Sequence, residues 1–224
     1  MSPRTPAPVP DRSLASLRAP ATRRRARPRW RGQLGGVEGN DLLTGTTAVV
    51  LIGLLFTEGV TVVHMRGLVS AHMFIGLVLV PPVLLKLGST GYRFLRYYAG
   101  AAAYRAKGPP WLPLRLMAPV LVVSTIVLFG SGVALLLSGH RSGGLLTIHQ
   151  ASFVVWVAVF GVHVVAYLPR AVRSTLGGWG PARRDAIAGA GWRATLLAGS
   201  VGGGAALALA LLTTIAGWHG GGHG

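Results

Sequence analysis

The chain has 224 residues, of which 51% are hydrophobic and 12% charged, about half the charged share of a soluble domain. It has no cysteine, which excludes disulfides, thiolate ligands and iron–sulfur clusters, so any metal must be held by histidine, methionine, lysine or carboxylate. The 22 Lys and Arg face 5 Asp and Glu for a net charge of +17, and what matters is where those bases lie.

Residues 1–40 are expected to be a disordered arm, because Pro3, Pro6, Pro8, Pro10, Pro20, Pro28 and the run "RRRARPRWR" supply nothing that packs into a core. A signal peptide is not expected: forty residues are too long for an n-region, and the apolar run that follows is a full span without a small-residue cleavage motif. Five apolar runs come next, Leu42–Val63, Leu68–Leu87, Leu116–Leu137, Leu145–Leu168 and Thr195–Ile215. Each is about 20 residues or more, enough to cross roughly 30 Å of hydrocarbon as a helix. Pro81 and Pro82 predict a kink in the second run. The fifth, "LLAGSVGGGAALALALL", is rich in small residues that let helices approach closely. The fold class expected is therefore all-α: an integral membrane protein with five transmembrane helices. Its units are a four-helix bundle over 41–170, a loop over 171–194, a fifth helix over 195–217 and a flexible Gly/His tail over 218–224.

Twenty of the 22 bases lie in the arm, between Lys86 and Arg115, and between Arg170 and Arg193; Arg66 and Arg141 are the other two. By the positive-inside rule the N-terminus is expected to be cytoplasmic and the C-terminus outside. Topology and attraction to anionic lipid account for the basic arm, and no nucleic-acid partner is expected.

The fourth run, "LLTIHQASFVVWVAVFGVHVVAYL", spends two positions on imidazole, His149 and His163, fourteen residues apart. Fourteen residues are about 21 Å of rise with a drift of about 40°, so both face one side at two depths. The second run, parallel to it, repeats the interval with His72 and Lys86. An outer level then holds His72 with His149, and an inner level Lys86 with His163. Two imidazoles on facing helices can clamp a haem from both sides, and Gly76 and Gly161 would give a flat macrocycle room. Ionisable groups inside a membrane are functional candidates in their own right.

These paired residues at a fourteen-residue interval on two parallel helices resemble the four-helix b-type cytochromes of the cytochrome b561 and respiratory cytochrome b class. The stretch "KLGSTGYRFLRYYAGAAAYRAKGPPWLPLRLMAPVLVVSTIVLFGSGVALLL" is further similar to actinobacterial membrane proteins of that class. The resemblance covers about residues 42–170. It implies that helices one to four form a haem-binding bundle, with His72 and His149 as the iron ligands of an outer haem b and His163 as one ligand of an inner haem. Lys86 departs from the pattern, standing where a di-haem cytochrome has histidine. The inner level is thus left open between ligation by a neutral Lys86 amine, a substitute ligand, and no haem there with Lys86 snorkelling to the surface.

Other polar residues give less. His64 and His140 lie at the outer interface, where each is a spare ligand, a propionate contact, a quinol proton acceptor or a wetted histidine; His64 is also an alternative to His72. Glu58, about two turns below the outer surface, is a proton carrier for a quinol, an acceptor orienting a ligand imidazole, or a protonated packing residue. His219 and His223 lie in Gly-rich chain that would not align them on a metal. Tyr92, Tyr97, Tyr98 and Trp111 read as interfacial anchors.

The function expected is electron transfer, as a subunit of an oxidoreductase complex, between a membrane quinone and an exoplasmic redox partner. Bis-imidazole ligation closes the iron and leaves transfer rather than oxygen chemistry. The alternatives are a haem-free membrane anchor or assembly subunit, and a small transporter using Glu58 and the outer histidines. A transporter favours polar groups at the midplane of broken helices, whereas here they gather near the two surfaces.

Overall fold

The computed structural model describes residues 35–108, 112–178 and 187–218. The protein is all-α, with no strand among these residues. Its helices are α1 (Gly36–Val63), α2 (Met65–Tyr98), α3 (Ala102–Arg105), α4 (Leu112–Ser138), α5 (Gly143–Gly178), α6 (Ala190–Ala210) and α7 (Leu212–Ala216). Five of them, all but α3 and α7, are long and apolar enough to cross a membrane. The proposed tail histidines, His219 and His223, Trp111 and most of the arm lie outside the described residues.

Neighbours in the chain pack antiparallel. Thr61 of α1 meets His72 of α2 near one end, while Asn40 and Asp41 meet Ser89 and Arg93 near the other. Ser131 and Thr125 of α4 likewise meet His149 and Trp156 of α5. The two hairpins join where α1 packs on α5 and α2 on α4, giving the four-helix bundle, and α6 lies against α2. A buried core of Leu77, Val78, Leu136, Ala208 and Ile215 ties α2, α4, α6 and α7 together.

The second helix is not broken at its proline pair. Its one stretch of non-helical backbone is Leu68 (φ −122°, ψ 20°), just after the one-residue link at His64, while Pro81 and Pro82 stay within the helix. Prolines without N–H groups at 81 and 82 leave the carbonyls of Leu77 and Val78 without their usual partners. The Val78 carbonyl is then covered by α6: a Cβ on Gly204 would overlap it, so only glycine permits this approach. Ala208, one turn on, is wholly buried. The expected close contact of the small-residue helix thus falls on the proline turn of α2, which α6 supports from outside.

Two boundaries differ from the hydropathy pattern. Helix α1 begins at Gly36, six residues before its apolar run, and α5 continues ten residues past Leu168. Pro169 forfeits only the bond to the Val165 carbonyl, so the helix persists. At about 1.5 Å per residue α2 and α5 are each about 50 Å long, against roughly 30 Å of hydrocarbon, so both project beyond the lipid. Arg193, counted among the topology-setting bases, is buried instead. Its guanidinium donates to the carbonyls of Ala188 (2.7 Å) and Ile187 (3.3 Å), closing the turn that enters α6. Gly35 (φ +71°) fits against that same turn, where a Cβ would lie 2.6 Å from the Ala188 oxygen.

Candidate functional site

The outer level forms where the two hairpins meet. Turn chemistry sets the depth of His72: the chain reverses at His64–Leu68, and α2 then carries His72 back down alongside Glu58 and Thr61 of α1. His72 Nδ1 lies 2.9 Å from Glu58 Oε1 and 3.2 Å from Thr61 Oγ1. The Thr61 hydroxyl donates to the Glu58 carbonyl at 2.6 Å and also lies 3.2 Å from Glu58 Oε2, fixing the carboxylate in place. Gly76 is part of this fit, since a Cβ there would stand 3.4 Å from Glu58 Oε1. Gly76 thus lies against the carboxylate, and Gly161 has open space around it.

On the other hairpin, His149 Nδ1 lies 3.1 Å from the Leu128 carbonyl and 3.1 Å from Ser131 Oγ, both on α4. Gly132 lets the ring in: a Cβ there would lie 3.1 Å from His149 Cε1. The rings of His72 and His149 face each other with centroids 6.2 Å apart and planes at 77°.

The hydrogen bonds fix the tautomers. A carbonyl oxygen only accepts, so His149 carries its proton on Nδ1 and the lone pair of its neutral ring sits on Nε2. An ionised Glu58, which only accepts, makes the same demand of His72. Neither Nε2 has a hydrogen-bond partner among the described residues. This is the arrangement of metal-binding histidines, whose far nitrogen is tied to a carboxylate or carbonyl while the near one ligates.

Two imidazoles on opposite sides of one metal ion, with metal–nitrogen bonds of about 2 Å and a ring radius of about 1.2 Å, have centroids about 6.3 Å apart. The outer pair stands at that separation. No group of three or more His, Asp or Glu that could hold a metal ion occurs among the described residues. A pair suits a metal whose other ligands come with it, as the four ring nitrogens of a porphyrin do.

The inner level differs. Lys86 Nζ donates to the Thr44 carbonyl of α1 at 2.9 Å, so the amine is engaged between two helices rather than free at the surface. Around it, Thr44 Oγ1 donates to Ser89 Oγ (3.1 Å), Ser89 Oγ to the Lys86 carbonyl (3.0 Å) and Asn40 Nδ2 to the Ser89 carbonyl (3.2 Å). Lys86 belongs to a polar seam between α1 and α2. His163 leans on Tyr167 with ring centroids 4.6 Å apart, and its buried Nδ1 has no hydrogen-bond partner among the described residues.

The interfacial histidines stay local. His64 turns its Nδ1 to the Val60 carbonyl of its own helix at 3.1 Å, and His140 to the Ser138 carbonyl at 2.7 Å; both are exposed. Sequence reasoning missed Thr61, Ser131, Gly132 and the Leu128 carbonyl. Thr61 and Ser131 each lie three residues from a site partner on their own helix, the only signal available for them. Compared with known protein families, with curated proteins and with solved structures, the chain matches none.

Proposed function

We propose that this chain is a membrane-bound b-type cytochrome that relays electrons between a membrane quinone and a redox partner subunit on the exoplasmic side. One haem b would be held by Nε2 of His72 and Nε2 of His149, and it would supply a one-electron couple at a closed, six-coordinate iron. The observation that carries this reading is the outer pair itself: opposed rings at 6.2 Å, each with its Nδ1 already tied to an acceptor. Glu58 and the Leu128 carbonyl orient the two rings and raise their basicity toward a metal. The apolar helices around them would keep bulk water from the metal. The commitment of Lys86 to Thr44 favours one haem rather than two. The basic segments orient the chain with its N-terminus in the cytoplasm of a bacterium, which puts the outer pair on the exoplasmic side.

The rival is a haem-free anchor, in which Glu58–His72 and Ser131–His149 only cross-link helices. A pyridine haemochrome assay on detergent-purified protein made with ample haem supply separates them. About one haem b per chain supports the cytochrome; colourless protein supports the anchor.

A further inference from the structure

The elbow from the end of α2 through α3 to the start of α4 has a charge imbalance that helix packing does not use. Between Glu58 and Asp185 the sequence has no acidic residue, yet Arg93, Arg96, Arg105, Lys107 and Arg115 gather at this elbow. Among the described residues one carboxylate reaches them. Asp41 pairs with Arg93 (Nη1 to Oδ1, 3.0 Å) and with Lys107. Arg115 is held by Tyr98, donating to its hydroxyl with the guanidinium 5.4 Å from the ring centroid, which positions the charge without cancelling it. Arg96 has a buried Nε with no hydrogen-bond partner among the described residues. Arg105 is exposed and folds back over Gly100 (φ +83°), where a Cβ would meet its Nη2 at 3.6 Å. Three guanidiniums are thus left without a counter-ion among the described residues.

Aromatic and apolar side chains surround them. The rings of Tyr92 and Tyr104 meet edge to face at 6.1 Å, and Phe94 packs on Tyr98 at 4.5 Å. Burial, together with the neighbouring Tyr92, pushes the Tyr104 hydroxyl above its ordinary range, so it stays a neutral donor. Phe94 (58% exposed) and Leu95 (66%) stand free beside the cations. Exposed apolar groups next to arginines would be wasted on a soluble anion, but they suit a ligand that carries acyl chains below its phosphate.

We propose that this elbow is a binding site for an anionic phospholipid, with Arg96, Arg105 and Arg115 taking the headgroup phosphate and Phe94, Leu95 and Tyr98 lying along its chains. The site is independent of the haem reading, because it lies at the opposite end of α2 from His72. An anionic lipid would close the elbow that joins the two hairpins and so stabilise their packing.

The test uses the full-length chain in lipid nanodiscs of phosphatidylcholine alone or with phosphatidylglycerol, at constant ionic strength, followed by thermal unfolding. Phosphatidylglycerol should raise the Tm of the wild type and of Arg141→Gln, whose change lies in a different loop, by about 5 °C. Arg105→Gln, at an exposed position, should lose about half of that rise, and Arg96→Gln with Arg105→Gln nearly all of it, with an unchanged Tm in phosphatidylcholine. An undiminished rise in Arg105→Gln would overturn the proposal in favour of a general surface-charge effect, even if the double variant folded poorly. Full stabilisation of the wild type by inorganic phosphate in phosphatidylcholine discs would also overturn it, in favour of a soluble-anion site.

Discussion

His72 and His149, from different hairpins, bring their rings to 6.2 Å with the planes at 77°. That angle is set outside the pair, by Glu58 and Thr61 on one ring and by Leu128 and Ser131 on the other. Near-perpendicular axial imidazoles leave the iron d-orbitals almost degenerate. With the haem proposed above bound by this pair, the ferric form should therefore give a strongly anisotropic low-spin electron paramagnetic resonance signal. A rhombic spectrum typical of parallel rings would mean that the rings turn on loading.

In the haem-bound form proposed above, Glu58 would act on the iron through His72. Glu58→Gln keeps an acceptor for Nδ1–H but removes the charge, so the imidazole becomes a poorer donor. Haem affinity should fall about 10–100-fold. The midpoint potential of the haem that remains should rise, because ferric iron loses more than ferrous. A redox titration that finds the potential unchanged or lower would remove Glu58 from this role.

Gly132 provides a steric test with an internal control. A side chain at 132 has to displace the His149 ring, since its Cβ starts 3.1 Å from Cε1, whereas a Cβ at Gly130 meets nothing within 4 Å. Gly132→Val should lower haem content severalfold while Gly130→Ala leaves it unchanged, read as the ratio of haem absorbance to protein.

Lys86 should matter to stability and not to haem number. Lys86→Met keeps the apolar stem and removes the bond to Thr44, a loss of about 1–2 kcal/mol for a hydrogen bond between helices in a membrane. That corresponds to a Tm roughly 2–8 °C lower, with haem per chain unchanged. A fall in haem content with the Tm preserved would make Lys86 a ligand.

The large features were legible because lipid makes them so. Long apolar runs give helices, and a fourteen-residue interval puts polar groups on one face at matched levels, whatever the packing details. The outer pair was found this way, and the structure brings its two rings together. The partners that aim the rings were not legible. Thr61 and Ser131 bond back to their own helix carbonyls, as hydroxyls in apolar helices commonly do, and only the crossing of a second helix gives them another use. Lys86 was legible as a polar group at the inner level, but its partner is a main-chain carbonyl, which no sequence pattern marks. The proline pair stays within the helix, the one residue of non-helical backbone in α2 is Leu68, where the chain reverses, and Gly204 of α6 covers the carbonyl that the prolines free.

The decisive measurement is the reduced-minus-oxidised visible spectrum of the purified protein, with haem quantified per chain, for the wild type, His72→Ala, His149→Ala and His163→Ala. One b-type haem in the wild type and in His163→Ala, lost in both His72→Ala and His149→Ala while all four proteins keep their helical circular dichroism, is the expected result. A wild type without haem, or a haem that survives loss of His72 and of His149, would contradict the outer pair as its ligands.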